Sequence, residues 1–125
     1  MSDSCIVGWA HTEFGKLADP DVESLIERVA AAAIADAGLE AQEIDGVFVG
    51  LFNNGFSKQD FPSSLSMQSV PGLRFKPASR YENACASGSA ALYAARDFIA
   101  ARRGRLALVI GVEKMTTLPG PQIGD

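Results

Sequence analysis

A chain of 125 residues with 47% apolar and 21% charged side chains has the size and composition of one soluble globular domain that needs no disulfide or metal staple. Its 15 acidic residues outnumber the 11 basic ones, and a net charge of −4 argues against generic binding to nucleic acid or an anionic membrane surface. Two cysteines without a CxxC pair exclude a disulfide scaffold and a cysteine zinc knuckle, the single histidine excludes a His-rich metal site, and no apolar run approaches the roughly 20 residues of a bilayer span.

The opening residues Met1-Ser2-Asp3-Ser4-Cys5 lack the basic and apolar regions of a signal peptide, so a cytoplasmic chain with reduced thiols is the expectation. Cys5-Ile6-Val7-Gly8-Trp9-Ala10 reads as a short buried strand, with Cys5 in the core. Asp19 is expected to cap a helix that has Pro20 at its first position. Val22, Leu25, Ile26, Val29, Ala33 and Ile34 then fall on one helical face, and Gly38 followed by Leu39 supplies the stop. Gly46 to Leu51 is a second apolar strand, which Asn53-Asn54-Gly55 ends as a turn. A shorter helix is expected from about Phe61 to Val70, opened by Pro62 and closed by Pro71-Gly72. Leu73 to Tyr81 reads as a third, edge strand, with Arg74, Lys76 and Arg80 as solvated charges or as attractors for phosphate. Ala84 to Arg103 is a long helix stopped by Gly104, and Leu106 to Val112 is a continuous apolar run of the kind that forms a parallel strand covered on both faces. The order β-α-β-α-β-α-β predicts an α/β domain with a mostly parallel sheet over residues 1–116, followed by a loop-like tail at 117–125.

The third helix is the unusual one. From Ala84 to Ala95 it carries no charge through three turns, whereas a surface helix shows a polar face. Such a helix is expected to be buried on most sides, partly by further polypeptide, with Arg96, Asp97, Arg102 and Arg103 marking its emergence into water. With Asn83 as its cap, Cys85 falls near the second helical position. The free amides and macrodipole there favour negative charge, the condition for a thiolate nucleophile, and could also donate to an oxyanion on a thioester carbonyl. A small buried cysteine with no chemistry is the competing reading, since free cysteine is commonly buried.

Asn83-Ala84-Cys85-Ala86-Ser87-Gly88-Ser89-Ala90-Ala91-Leu92 resembles the nucleophile motif of the thiolase superfamily. The segments Ile6 to Gly15, Ile44 to Gly50 and Leu108 to Met115 are similar, in the same order, to the family's first strand and turn, its second strand, and the strand that ends in Gly-x-Glu-x-Met. The wording is closest to the sterol-carrier-protein type of thiolase and its bacterial relatives, and the resemblance covers nearly the whole chain as an N-terminal portion. It implies half of a layered α-β-α-β-α fold, with the nucleophile helix in the central layer. It also implies formation or cleavage of β-ketoacyl-CoA through an acyl-cysteine intermediate on Cys85, with a coenzyme A thioester as substrate, no covalently bound cofactor and no metal.

The family's Gly-His-Pro histidine, its oxyanion-hole Asn or His, its late acid/base residue and most of its CoA-binding loop have no counterpart in this sequence. The chain alone is therefore expected to lack turnover. His11 matches no catalytic histidine and is expected to make local hydrogen bonds. Glu113 and Met115 are expected to support the nucleophile loop or a dimer contact, and Ser87 and Ser89 to bond backbone carbonyls or neighbours. Two alternatives stand beside the thiolase reading: a related condensing enzyme of the ketoacyl synthase type, and a non-catalytic thiolase-like subunit that binds a partner chain. A homodimer or a partner chain is expected in any of these cases, to cover the apolar helix and the 73–81 strand.

Overall fold

The computed structural model describes residues 3–52 and 60–117, and the Asn53-Asn54-Gly55 turn and most of the 117–125 tail lie outside them. Three helices and three strands alternate: α1 Val22–Asp36, β1 Gly46–Gly50, α2 Pro62–Ser69, β2 Ala78–Tyr81, α3 Ser87–Ala100 and β3 Ala107–Gly111. Short 3-10 turns at Ala41–Glu43, Pro71–Leu73 and Met115–Thr117 lie between or after them. The strands form one parallel sheet in the order β2-β1-β3. This is the α/β architecture with a parallel sheet expected from the alternation of hydrophobic periods.

The sheet has a core on each face. Val47, Val49, Leu108 and Ile110 pack with Val22, Ile26, Ala30 and Ile34 of α1, with Leu65 of α2, and with Leu73. On the other face Phe48 packs against Ala91 and Ala95 of α3, with Phe98, Tyr81 and Val109 around it. Alternate side chains of one strand thus feed opposite layers, so β1 is buried along its whole length. Phe48 meets Phe98 edge-on at 5.4 Å between centroids, a favoured aromatic geometry.

α1 stops as its sequence predicts. Gly38 takes φ +67°, the Gly38 N–H donates to Ala35 O, and the Leu39 N–H donates to Ile34 O. This double return of amides satisfies carbonyls that the helix end would leave bare. The start differs from expectation. Asp21, not Asp19, is the cap, accepting from the Ser24 N–H at 2.8 Å and from the Ser24 hydroxyl at 2.7 Å. Asp19 instead pairs with Arg28 at 3.1 Å, on the other side of which lies Glu13. Those hydrogen bonds from Ser24 hold the Asp21 carboxyl below its ordinary titration range.

Two other expectations are corrected. Residues 5–10 form no strand: among the described residues the segment has no ladder partner, and Ile6, Val7, Trp9 and Cys5 are exposed. Its apolar pattern is that of a strand, but none of the described residues stands at ladder spacing. A groove of about 810 Å³ separates it from β3, α1 and α3. It is held instead at the end of α1, where the Trp9 N–H donates to Asp36 Oδ2 at 3.0 Å and Gly8 approaches Ala37 so closely that a Cβ would lie 2.6 Å from its nitrogen. The 73–81 strand is likewise shorter than its pattern. Pro71–Leu73 makes a 3-10 turn and Phe75 takes φ +67°, so extended pairing starts only at Ala78.

Candidate acyl-transfer site

Parallel sheets place their functional loops at the carboxyl ends of the strands. Here the three strands end level, because Gly50 of β1 is in register with both Tyr81 of β2 and Gly111 of β3. The Leu51 N–H donates to Tyr81 O at 3.1 Å and the Val112 N–H to Gly50 O at 3.0 Å, so the pairing carries one step past each strand. Three segments leave this edge: the chain after Leu51, the turn 82–86 that carries Cys85 and runs into α3, and the chain after Gly111.

Cys85 is not inside the helix. α3 begins at Ser87 with Ala86 as its cap residue, and it ends at Ala100, short of Arg103. Ala84 breaks the expected helical run, for its φ of +45° lies in the left-handed region, which costs a Cβ-bearing residue about 1–2 kcal/mol. Nothing in an alanine-rich sequence announces such a residue, since alanine is the best helix former. Asn83 therefore does not cap the helix. It begins a tight turn in which the Ala86 N–H donates to Asn83 O at 2.8 Å and the Ser87 N–H to Ala84 O at 3.2 Å. Cys85 stands at the outer bend of this strand-to-helix elbow, two residues before α3, and it is exposed.

The elbow is pinned from three directions. Glu82 Oε1 accepts from the Ala84 N–H at 2.6 Å. The Ser87 hydroxyl accepts from the Asn83 N–H at 2.9 Å and donates to Ala84 O at 2.7 Å. Gly50 presses its α-carbon against the Ser87 carbonyl. Among the described residues no acceptor takes the N–H groups of Gly88 or Ser89. The first turn of α3 therefore presents unpaired donors and the positive end of the macrodipole beside Cys85.

The remaining expected residues are scattered. Arg74 and Lys76 precede β2 and Arg80 lies within it. Lys76 Nζ donates to Gln42 O at 2.9 Å, and Arg80 lies over Leu51 O. His11 bonds the Thr12 carbonyl and packs on Phe14 at 4.8 Å, local contacts of the kind expected. Glu113 supports the carboxyl edge: its Oε2 accepts from the Phe52 N–H at 2.9 Å, across 61 residues of sequence. Lys114, within the Leu108 to Met115 motif, is only 8% exposed and donates to Leu17 O at 2.9 Å, tying the loop after β3 to the segment before α1. Met115 is partly exposed, and Ser89 is exposed. α3 is not buried all round: Ser87, Ala91 and Ala95 face the sheet, while Leu92 and Tyr93 stand 48% and 59% exposed on the opposite face. The helix thus covers one sheet face through its small residues and leaves Leu92 and Tyr93 largely exposed, with Arg96 lying 4.8 Å over the Tyr93 ring.

Residues 4–123 match the family described as thiolase, N-terminal domain. The chain is 37% identical over 122 residues to an acetyl-CoA acetyltransferase of Methanothermobacter thermautotrophicus, an alignment that covers 97% of this chain and 32% of that protein. It is 39% identical over 117 residues to an acetyl-CoA acetyltransferase of Methanocaldococcus jannaschii, covering 93% of this chain and 30% of the relative. The chain spans about a third of the length of these curated relatives.

Proposed function

The chain belongs to the thiolase N-terminal domain family, and from that premise we propose that it supplies the acyl-accepting cysteine, Cys85, of a thiolase-type acyltransferase acting on coenzyme A thioesters. The observation that carries this reading is the elbow. The thiol stands at the carboxyl edge of a parallel sheet, in a strained turn, just before a helix whose first amides are unpaired.

The chemistry follows from that placement. Cys85 Sγ gives up its proton and attacks the thioester carbonyl. A tetrahedral oxyanion forms, the bond from carbonyl carbon to the coenzyme A sulfur breaks, and the departing thiolate takes up a proton as free coenzyme A. The acyl group is left on Cys85 as a new thioester, ready for a second acceptor. Negative charge develops twice, first on sulfur and then on oxygen, and the positive end of α3 lowers the cost of both.

One component is absent. The reaction needs a base to take the thiol proton, and the single histidine, His11, is engaged with Thr12 and Phe14 in the N-terminal segment. The chain therefore acts as part of a larger unit, and alone it holds an acceptor without turnover. The open apolar face of α3, with Leu92 and Tyr93, supports association with further polypeptide, as a homodimer or with a partner chain. A cytoplasmic location agrees with reduced cysteines.

The test compares the two cysteines, both of which are exposed. With limiting iodoacetamide at neutral pH, Cys85 should alkylate faster than Cys5, and acetyl-CoA should protect Cys85 alone. Equal rates with no selective protection would refute the reading, and so would CoA-dependent cleavage of a β-ketoacyl-CoA by the Cys85→Ser variant.

A further inference from the structure

Ser87 is the most constrained polar side chain near the elbow. It is 5% exposed, and its hydroxyl spends both a lone pair and its proton on the backbone just before Cys85. The N–H it accepts from is that of Asn83, and the oxygen it donates to is that of Ala84, which belongs to the peptide group leading directly into Cys85. The Ala84 N–H is held in turn by Glu82. Both peptide groups flanking the left-handed residue are thus fixed by side chains, which is how a strained conformation persists without relaxing. Its two bonds tie the start of α3 to the turn that follows β2.

We propose that Ser87 is the positioning residue of the acyl-accepting turn: by clamping the Asn83 amide and the Ala84 carbonyl it fixes the direction in which the Cys85 thiol leaves the chain, beside the free amides of α3. The inference rests on the reading of Cys85 as acyl acceptor. Ser87 touches neither substrate nor reacting atoms and acts only through the backbone. Without its hydroxyl the Asn83 amide loses its partner and the Ala84 carbonyl keeps only the longer bond from the Ser87 N–H at 3.2 Å, so the peptide between Ala84 and Cys85 is held less firmly against rotation toward an ordinary helical geometry. The thiol would then swing away from its place at the helix end, and displacements of about 1 Å at a reacting group cost as much as a hundredfold in rate.

The experiment uses the 125-residue chain and follows iodoacetamide labelling of Cys85 and Cys5 by peptide mapping from pH 6 to 10, with far-UV circular dichroism on the same samples. Ser87→Ala should lower the neutral-pH rate of Cys85 about tenfold and move its pH profile toward that of Cys5, while the spectrum stays that of the folded chain. Ser87→Thr keeps the hydroxyl and should restore both rate and profile. If Ser87→Ala leaves the Cys85 profile unchanged while Cys85 still outpaces Cys5, the positioning role is wrong and the acceptor reading survives. If Cys85 and Cys5 react alike in the unsubstituted chain, both fall. Should Ser87→Ala unfold the chain, the threonine variant decides alone: a profile resembling that of Cys5 in a folded Ser87→Thr chain overturns the proposal.

Discussion

The α-carbon of Gly50 rests against the carbonyl of Ser87, so that a methyl group added there would lie 2.6 Å from that oxygen and 2.8 Å from the Gly88 nitrogen. The end of the central strand and the start of α3 therefore meet backbone to backbone, and only glycine permits it. Gly50→Ala should push α3 outward and destabilise the chain by about 1–3 kcal/mol, as overpacking of a close contact does. Equilibrium urea unfolding checks this. The same substitution should slow alkylation of Cys85 more than that of Cys5, since the helix start carries the elbow with it.

At the opposite end of the sheet Asp45 accepts from the Arg105 N–H at 2.7 Å and the Leu106 N–H at 3.1 Å, and so fastens the entry of β1 to that of β3. Those two backbone amides hold its carboxyl below the ordinary value of 3.8. A carboxylate lowered in the folded state contributes stability that is present above the unfolded value and is lost as pH falls through the folded one. Asp45→Asn should accordingly reduce stability at pH 7 and flatten the acid limb of the stability curve near and below pH 3.8, read as urea midpoints across that range. An unchanged acid limb would show that the β1–β3 fastening does not depend on the charge. Asp21, whose carboxyl is lowered by its Ser24 hydrogen bonds, contributes in the same direction at the start of α1.

Phe75 combines a φ of +67° with complete exposure, so its ring gains nothing from packing while its backbone bears the left-handed penalty. Asn tolerates that conformation far better than an aromatic residue. Phe75→Asn should therefore stabilise the isolated chain by up to about 1 kcal/mol, seen as a higher thermal midpoint. A lower midpoint would mean that the ring is buried against something in solution, and sedimentation would then find an associated species.

Much of the fold was readable from hydrophobic period alone. The face Val22, Leu25, Ile26, Ile34 is the buried face of α1, Gly38 ends that helix as its φ requires, and the runs around Val47 and Val109 are parallel strands. The failures share a cause. Period reports which residues prefer burial and extension, but not whether a neighbour stands at hydrogen-bonding distance. Residues 5–10 therefore read as a strand although they line a groove, and Leu73 to Pro77 read as strand although a 3-10 turn and a left-handed Phe75 precede the pairing. At the site, the type of residue was legible and its setting was not. The motif around Cys85 marked the cysteine, yet alanine propensity ran the helix through it, because Ala84 carries no sign of its positive φ and the side chains bonded to its peptide groups are those of Glu82 and Ser87. Lys114 had no local signal, since its partner, Leu17 O, is 97 residues away.

The most direct measurement is of the acylated protein itself. The chain is incubated with acetyl-CoA, digested under mildly acidic conditions and mapped by mass spectrometry, with a parallel sample treated with hydroxylamine to release thioesters. The account expects acetyl on the peptide containing Cys85, lost on hydroxylamine treatment, absent from the Cys85→Ser variant and scarce on Cys5. Acetyl distributed equally over the two cysteines, or found on Cys5 and not on Cys85, would contradict it.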